Sequence, residues 1–240
     1  LAEYRMYYFP EPEPGRPAYV YTYPMSIGRM DWETPLGKTR IVAMAKNPAW
    51  YPPQSVREEH AAEGDPLPRV VPPGPANPLG TRALRLGLPG YLIHGTNRPA
   101  GVGMRVSHGC VRMFPEDIEF LFEHIRVDTP VRIINAPVKI GWDGDVLVAE
   151  VHPLLESPKP PAGEMLEHLE ELDADIDLPP PDPNSKDPLT HVTEQFIVAT
   201  AVRAAQLDWD LVEELVERSN GIPEVVGTGI KNAATSAAFK

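Results

Sequence analysis

The chain has 240 residues, of which 42% are hydrophobic, a length that suffices for one sizeable core and a smaller appendage. Most of its formal net charge of −12 comes from positions 151–240, which hold 17 acidic and 6 basic residues, so the composition argues against a nucleic-acid-binding protein. The single cysteine excludes an internal disulfide, and no apolar run approaches the roughly twenty residues of a membrane span.

The first part of the chain is predicted to be mainly β. Residues 4–9 and 18–27 are rich in aromatic and β-branched residues and predict two strands, and a third is expected over Thr39–Ala45. Residues 46–79 contain many prolines and the charged run at 57–60. An insertion of this length is uncommon in a compact domain unless it has a function. We therefore expect a lid or wall over a substrate groove, with a passive surface loop as the alternative.

The segment Tyr91–Met113 reads YLIHGTNRPAGVGMRVSHGCVRM and follows a predicted strand at Thr81–Leu86. It contains the only cysteine, Cys110, with His94 sixteen residues before it and His108 two residues before it. A cysteine attacks as its thiolate, and a free thiol is mostly protonated at neutral pH, so a neighbouring imidazole must take the proton. The segment therefore predicts a nucleophile with two candidate bases.

Neighbouring residues can complete such a site. The base needs an acceptor for its second N–H, and because the segment has no carboxylate, we expect the carbonyl of Gly95 to orient His94. The amides around Gly109 and Cys110 can form an oxyanion hole. Arg112 supplies a fixed positive charge suited to a substrate carboxylate, with a structural ion pair as the alternative.

Each of these residues also has a simpler interpretation. A lone cysteine is often a small buried hydrophobe, and His108 can pack and hydrogen-bond within its loop instead of contacting substrate. Asn97, in the run Thr-Asn-Arg-Pro, is typical of a turn. Structural zinc sites have four ligands and usually paired cysteines, so no metal and no other cofactor is expected.

Two runs in this segment resemble the active-site signature of the L,D-transpeptidases with a YkuD-type catalytic domain: HGTN from His94 and SHGCVRM at Ser107–Met113. The resemblance extends to Ala2–Phe9, to Gly74–Gly80 and onward to about Leu155, and it points to the periplasmic ErfK/YbiS-like branch of Gram-negative bacteria. The last eighty or so residues are expected to lie outside it.

The resemblance implies a fold, a reaction and roles for individual residues. The fold is a β-sandwich or barrel with one packed helix, and Cys110 is the acylated nucleophile, His94 the base and Gly95 the residue that orients it. Five further residues are expected to shape the site or bind substrate: Ser107, His108, Gly109, Arg112 and Asn97.

The implied function is that of a peptidoglycan L,D-transpeptidase in the periplasm. Such an enzyme attacks the bond between diaminopimelate and D-alanine in a tetrapeptide stem, forms a thioester, and transfers the acyl group to an amine. That amine belongs to the terminal lysine of an outer-membrane lipoprotein or to the diaminopimelate of another stem. Two alternatives remain open: a hydrolase of the same bond, and a peptidoglycan-binding scaffold with an inert cysteine.

The rest of the catalytic domain, placed at residues 1–155, is predicted from local patterns. A helix is expected to begin at Pro115, because proline suits the first turn and acidic residues follow it. A strand is expected over Val131–Asn135. Residues 139–142 and 146–151 then predict a hairpin around the Asp-Gly turn between them.

After residue 155 the composition changes. Residues 156–188 are predicted to form a proline-rich acidic linker with a short helix at 164–172, and residues 189–240 a helical extension. Its two helices are expected to start near Asp187 and Asp208 and to pack as a hairpin. Such a hairpin needs a partner surface, which we expect on the catalytic domain or on another chain.

Overall fold

A computed structural model describes residues 1–155 and 186–230 of the chain. These residues divide into two compact units, the first formed by Leu1 with Glu3–Ile134 and the second by Ala2 with the described residues from Asn135 onward. Each unit has its own β-sheet. Within the two described ranges, every helix is too short or too polar to cross a membrane.

The first unit contains a mixed β-sheet. Its strands are β1 (Arg5–Tyr8), β2 (Tyr21–Gly28), β3 (Gly37–Lys46), β4 (Arg82–Leu86), β5 (Leu92–His94), β6 (Arg105–Ser107), β7 (Val111–Met113) and β8 (Pro130–Ile133). Their spatial order is β1-β2-β7-β5-β4-β3-β8, with β6 paired to β2. The β2–β6 and β5–β7 pairs are parallel, and the others are antiparallel.

This sheet confirms the predicted mainly β fold. The two aromatic segments near the start form β1 and β2, which pair antiparallel, and the other predicted strands of this unit lie within two residues of their expected bounds. Alternating residues of its strands form the core, where Ile27, Ile41, Leu84 and Met113 are at most 2% exposed. Burial of such side chains stabilises the sheet by about 1.5–3 kcal/mol each.

Helix α2 (Pro115–His124) begins at the predicted proline and packs against β4, the strand next to the one that ends in His94. Its first turn carries two acidic side chains, which interact favourably with the positive end of the helix dipole. Ile118 and Leu121 form its buried stripe. A methyl group of Ile118 lies 3.2 Å from where a Cβ on Gly95 would be, so the helix supports the backbone beside His94.

The proline-rich insertion contains a helix that the sequence analysis did not predict, α1 (Gln54–Ala62). Asn77, which is fully buried, fixes the rest of the insertion. Its amide nitrogen donates to the carbonyls of Pro48, Val71 and Pro72 at 2.9, 3.2 and 3.1 Å. One side chain therefore ties the beginning of the insertion to its end.

The second unit is built on an antiparallel four-stranded sheet. Its strands are β9 (Val138–Asp143), β10 (Val146–Val151), β11 (Ala205–Leu207) and β12 (Glu224–Gly229), in the order β11-β12-β10-β9. The predicted Asp-Gly hairpin is thus present as β9 and β10. We placed this hairpin in the domain of residues 1–155, but in the structure it pairs with β12 and belongs to the second unit. The limits of the domains otherwise stay a prediction.

Helices α3 (Pro188–Thr200) and α4 (Trp209–Arg218) start where they were predicted. Asp187 and Asp208 cap them, each accepting a backbone N–H from the first turn. The helices pack on the sheet of the second unit, with which they share a buried cluster: Val138, Ala149, Val151, Val192, Val212, Leu215 and Val226. This sheet provides the partner surface that the helices required.

In contrast to the prediction, the end of the chain is not purely helical. The extension at residues 189–240 was predicted to be helical, but it also contains β11 and β12. These strands extend the sheet of the second unit, on which the two helices pack. The short acidic helix expected at residues 164–172 and most of the linker at 156–188 lie outside the described residues.

We predict that Asn77→Ala destabilises the first unit by about 2 kcal/mol, because one buried and two partly buried hydrogen bonds to carbonyls are lost. Urea denaturation followed by tryptophan fluorescence measures the change. Asn97→Ala is the matched control, since that exposed amide donates to one carbonyl only. Equal effects of the two substitutions would contradict the role given to Asn77.

Candidate active site

The candidate site is formed on the parallel pair of β5 and β7. Ile93 lies opposite Val111, and His94 lies opposite Arg112. Because side chains alternate along a strand, His94 and Arg112 share one face and Ile93 and Val111 the other. Cys110 immediately precedes β7, and the alternation brings it to the face of Arg112. Two residues sixteen positions apart in sequence, His94 and Cys110, therefore lie on one face of adjacent strands.

The imidazole of His94 is held in one tautomer. Its Nδ1 lies 2.6 Å from the carbonyl oxygen of Gly95. A carbonyl oxygen can only accept, so Nδ1 carries the proton and Nε2 keeps its lone pair. Burial, together with the nearby charge of Arg112, lowers the pKa of His94 to about 4. The ring is thus neutral at pH 7, and the nitrogen able to accept a proton is Nε2.

The thiol of Cys110 is also neutral at rest. Its Sγ lies 3.7 Å from the carbonyl oxygen of Gly90, to which the thiol donates. Burial raises the pKa of Cys110 above its usual value, while a backbone hydrogen bond from Leu92 and the charge of Arg112 act in the opposite direction. A thiol in this state requires a base before it can attack.

The loop before Cys110 has a backbone conformation that requires glycine. Gly109 has a φ of +90°, and a Cβ at this position would lie 2.8 Å from a ring carbon of Tyr91. The hydroxyl of Thr34 donates to the carbonyl of Gly109 at 2.8 Å and accepts from the backbone N–H of Gly28 at 2.9 Å. The hydroxyl of Thr34 therefore holds the peptide group between Gly109 and Cys110 against the backbone of Gly28.

Ser107 and Asn97, which were expected to contact substrate, use their side chains within the protein. Ser107 is fully buried, and its hydroxyl donates to the carbonyl of Cys110. Asn97 is exposed and donates from Nδ2 to the carbonyl of Ala76 at 3.1 Å. These contacts hold loop positions, as the turn interpretation of Asn97 expects, and a substrate contact by either residue stays a prediction.

Arg112 is the cation closest in register to the thiol and the imidazole. Within the described ranges, none of the ion pairs involves its guanidinium, and its Nε is buried without a hydrogen-bond partner. Among the described residues, the guanidinium is therefore not neutralised by a protein carboxylate, in contrast to the structural ion pair considered as an alternative above. The arrangement suits binding of an anionic group beside Cys110.

His108 contacts a residue that lies far away in sequence. Its Nε2 is 2.7 Å from a carboxylate oxygen of Glu59, which is on α1 and also pairs with Arg29. The edge of the Trp32 indole packs against the His108 ring, with centroids 5.3 Å apart. Around Cys110, the described residues form no group of three potential metal ligands within 4.8 Å of one another.

Three residues of this site were missed by sequence reasoning: Glu59, Arg29 and Thr34. Glu59 belongs to the charged run of the insertion, which the sequence analysis noted without assigning a partner. Arg29 and Thr34 lie in the connection after β2, where no local pattern distinguishes them from other loop residues. The site contacts of these residues are long-range, since Thr34 donates to a carbonyl 75 residues later and Arg29 pairs with Glu59, 30 residues later.

Comparison with known proteins identifies the family. A family model for the YkuD L,D-transpeptidase catalytic domain matches residues 1–133. The probable L,D-transpeptidase YcfS of Escherichia coli is 35% identical over 228 residues, which are 93% of this chain and 62% of that protein. The probable L,D-transpeptidase YbiS of the same organism is 46% identical over 60% of this chain and 46% of its own length.

The chain therefore belongs to the family with the YkuD L,D-transpeptidase catalytic domain, which the family model assigns to residues 1–133. A solved L,D-transpeptidase from Mycobacterium smegmatis gives a TM-score of 0.39 at 18% identity, covering 49% of this chain and 52% of that one. The chain spans 62% or less of the length of YcfS and YbiS. The expectation that the last eighty residues lie outside the resemblance is wrong, since the YcfS match covers 93% of the chain.

We predict that Gly109→Ala slows alkylation of Cys110 by iodoacetamide and lowers the melting temperature, because the added methyl meets Tyr91 and φ is unfavourable for alanine. Gly103→Ala is the matched control. Gly103 has a φ of +89° but nothing within 4 Å of an added Cβ, so it reports the backbone cost alone. Equal effects of the two substitutions on the alkylation rate would contradict the prediction.

Proposed function

We propose that the chain is a peptidoglycan L,D-transpeptidase in which Cys110 is the nucleophile, His94 the general base and Gly95 the residue that orients the base. The observation that supports this most directly is the His94 tautomer: a neutral ring with an unprotonated Nε2, on the face shared with the thiol. Family membership supports the reaction class.

The first half-reaction forms a thioester. His94 takes the thiol proton, and the sulfur attacks the carbonyl of diaminopimelate in the bond to D-alanine of a tetrapeptide stem. The oxyanion is stabilised by the amides around Gly109 and Cys110, which Thr34 and Ser107 hold in place. The imidazolium then gives its proton to the departing amine of D-alanine.

The second half-reaction transfers the acyl group to an amine. We propose that this amine is the terminal lysine of an outer-membrane lipoprotein or the diaminopimelate of another stem, and that the reaction takes place in the periplasm. Arg112 is proposed to bind a carboxylate of the stem, which is supported by its position on the face of Cys110 and by the lack of an ion pair to its guanidinium among the described residues. His108 and Gly109 would then shape the loop that faces the stem.

A product assay separates transfer from hydrolysis. Purified tetrapeptide muropeptides are incubated with the protein, with and without a peptide that ends in lysine, and the products are identified by mass spectrometry. A lysine adduct or a crosslinked dimer indicates transfer, whereas a tripeptide stem alone indicates hydrolysis. Unchanged muropeptides would contradict both activities and favour a peptidoglycan-binding scaffold.

We predict that meropenem acylates the wild-type chain once, at Cys110, as read by intact mass and peptide mapping. Cys110→Ala should give no adduct, because the sulfur is the attacking atom. His94→Gln should slow acylation by about 10²-fold or more, the usual contribution of a positioned base. The control is His124→Gln, since His124 is exposed, its Nδ1 binds the carbonyl of Phe120 in its own helix, and its ring stacks on that of Phe120. An adduct on the alanine variant would remove Cys110 from the mechanism.

We predict that the rate constant of acylation changes little between about pH 6 and pH 8. In that range His94, with a pKa of about 4, is already neutral, and Cys110, whose pKa is raised by burial, is still a thiol. The rate should fall only as the pH approaches 4 and His94 becomes protonated.

The contrasting variant in this pH series is His94→Gln. Without the imidazole, attack depends on the thiolate, so its rate should rise about tenfold per pH unit below the thiol pKa. A wild-type rate with the same slope would contradict the assignment of His94 as base.

A further inference from the structure

A carboxylate from the proline-rich insertion lies at the centre of a cluster beside the catalytic loop. One oxygen of Glu59 binds the guanidinium of Arg29, and the other lies 2.7 Å from Nε2 of His108. The three side chains are only partly exposed, at 25%, 34% and 22%. Ion pairs on open surface contribute little, but a shared and partly buried carboxylate restricts its partners more strongly.

The contact with Glu59 selects the tautomer of His108. An ionised carboxylate can only accept, so Nε2 of His108 carries the proton that is donated to Glu59. Burial, with the charges of Arg29 and Arg112 next in importance, lowers the pKa of His108 to about 4. The ring is therefore neutral at pH 7, and its Nδ1 is left unprotonated.

The same cluster closes a ring of contacts around the loop. Arg29 donates its backbone N–H to the carbonyl of Ser107 at 2.9 Å, while its side chain binds Glu59. Ser107 in turn donates its hydroxyl to the carbonyl of Cys110. Glu59 thus restrains the loop at two adjacent residues, at His108 through its side chain and at Ser107 through Arg29.

We propose that Glu59 is a positioning residue for the acyl-transfer reaction, holding His108 in one tautomer and tying α1 to the loop that contains Cys110. This inference rests on the proposed function and extends it, because it gives the insertion a role in the site. The loss of Glu59 leaves His108 without its acceptor and Arg29 without its counter-ion, so the loop adopts several geometries.

The test compares Glu59→Ala with the matched control Glu58→Ala. Glu58 is the exposed neighbour on the same helix, where it accepts from Gln54, and alanine favours a helix at both positions. Meropenem acylation of Cys110 should be about tenfold slower in Glu59→Ala, within the range of coupling between contacting residues, and unchanged in the control. Glu59→Gln keeps one acceptor oxygen, so its rate should fall between those of the wild type and Glu59→Ala.

A double variant tests whether Glu59 acts through His108. The combined Glu59→Ala and His108→Gln protein should be slower than His108→Gln alone by much less than the tenfold effect of Glu59→Ala in the wild type, because only the route through Arg29 remains. Rates are compared at a temperature below the melting transition of every variant. Fully multiplicative effects would overturn the proposal, as would a Glu59→Ala rate equal to that of the Glu58→Ala control.

An NMR measurement tests the proposal independently of the enzyme activity. With ¹⁵N-labelled histidine, wild-type His108 should show a protonated, slowly exchanging Nε2 and an unprotonated Nδ1. Glu59→Ala should lose the slow exchange, and the Glu58→Ala control should keep it. An unchanged His108 signal in Glu59→Ala would overturn the proposal, even if acylation were slower. If the wild-type chain is not acylated, the proposed function fails, and this spectrum still decides the role of Glu59.

Discussion

The parallel pairing of β5 with β7 is the constraint on which the site depends. It sets His94 opposite Arg112 and brings Cys110 to the same face. A shift of the register by one residue would turn His94 toward the face of the buried Ile93. The apolar residues on the core face therefore fix the chemistry on the other face, since they determine which register buries the most apolar surface.

The electrostatics of this pair favour a neutral resting state. Burial raises the pKa of the Cys110 thiol and lowers the pKa of the His94 imidazole to about 4, so proton transfer from one to the other is unfavourable at rest. Proton transfer can therefore accompany attack on the substrate, and the protein need not store a thiolate. The charge of Arg112 lowers the pKa of Cys110 and also lowers the pKa of His94. Its two effects on the proton transfer therefore oppose each other.

The parts of the structure that the sequence predicted are those with local causes. The hairpin of β9 and β10 follows from its Asp-Gly turn, and α2 from Pro115 and its acidic first turn. The orienting contact between His94 and Gly95 joins adjacent residues, so it was expected from chemistry alone, and the structure contains that hydrogen bond. What could not be predicted depends on distant contacts. The hairpin belongs to the second unit because its apolar face packs on helices that begin at Pro188 and Trp209. Helix α1 was not predicted because it lies among prolines, which suggested irregular structure.

Glu59 illustrates why a motif alone does not define the site. The segment from His94 to Arg112 has no carboxylate, which led to the expectation of a backbone acceptor, and for His94 such an acceptor is present. His108 is different, because its acceptor is a carboxylate forty-nine residues earlier in the chain. Under the proposed function, the sheet positions the reacting pair and the insertion positions the loop beside it.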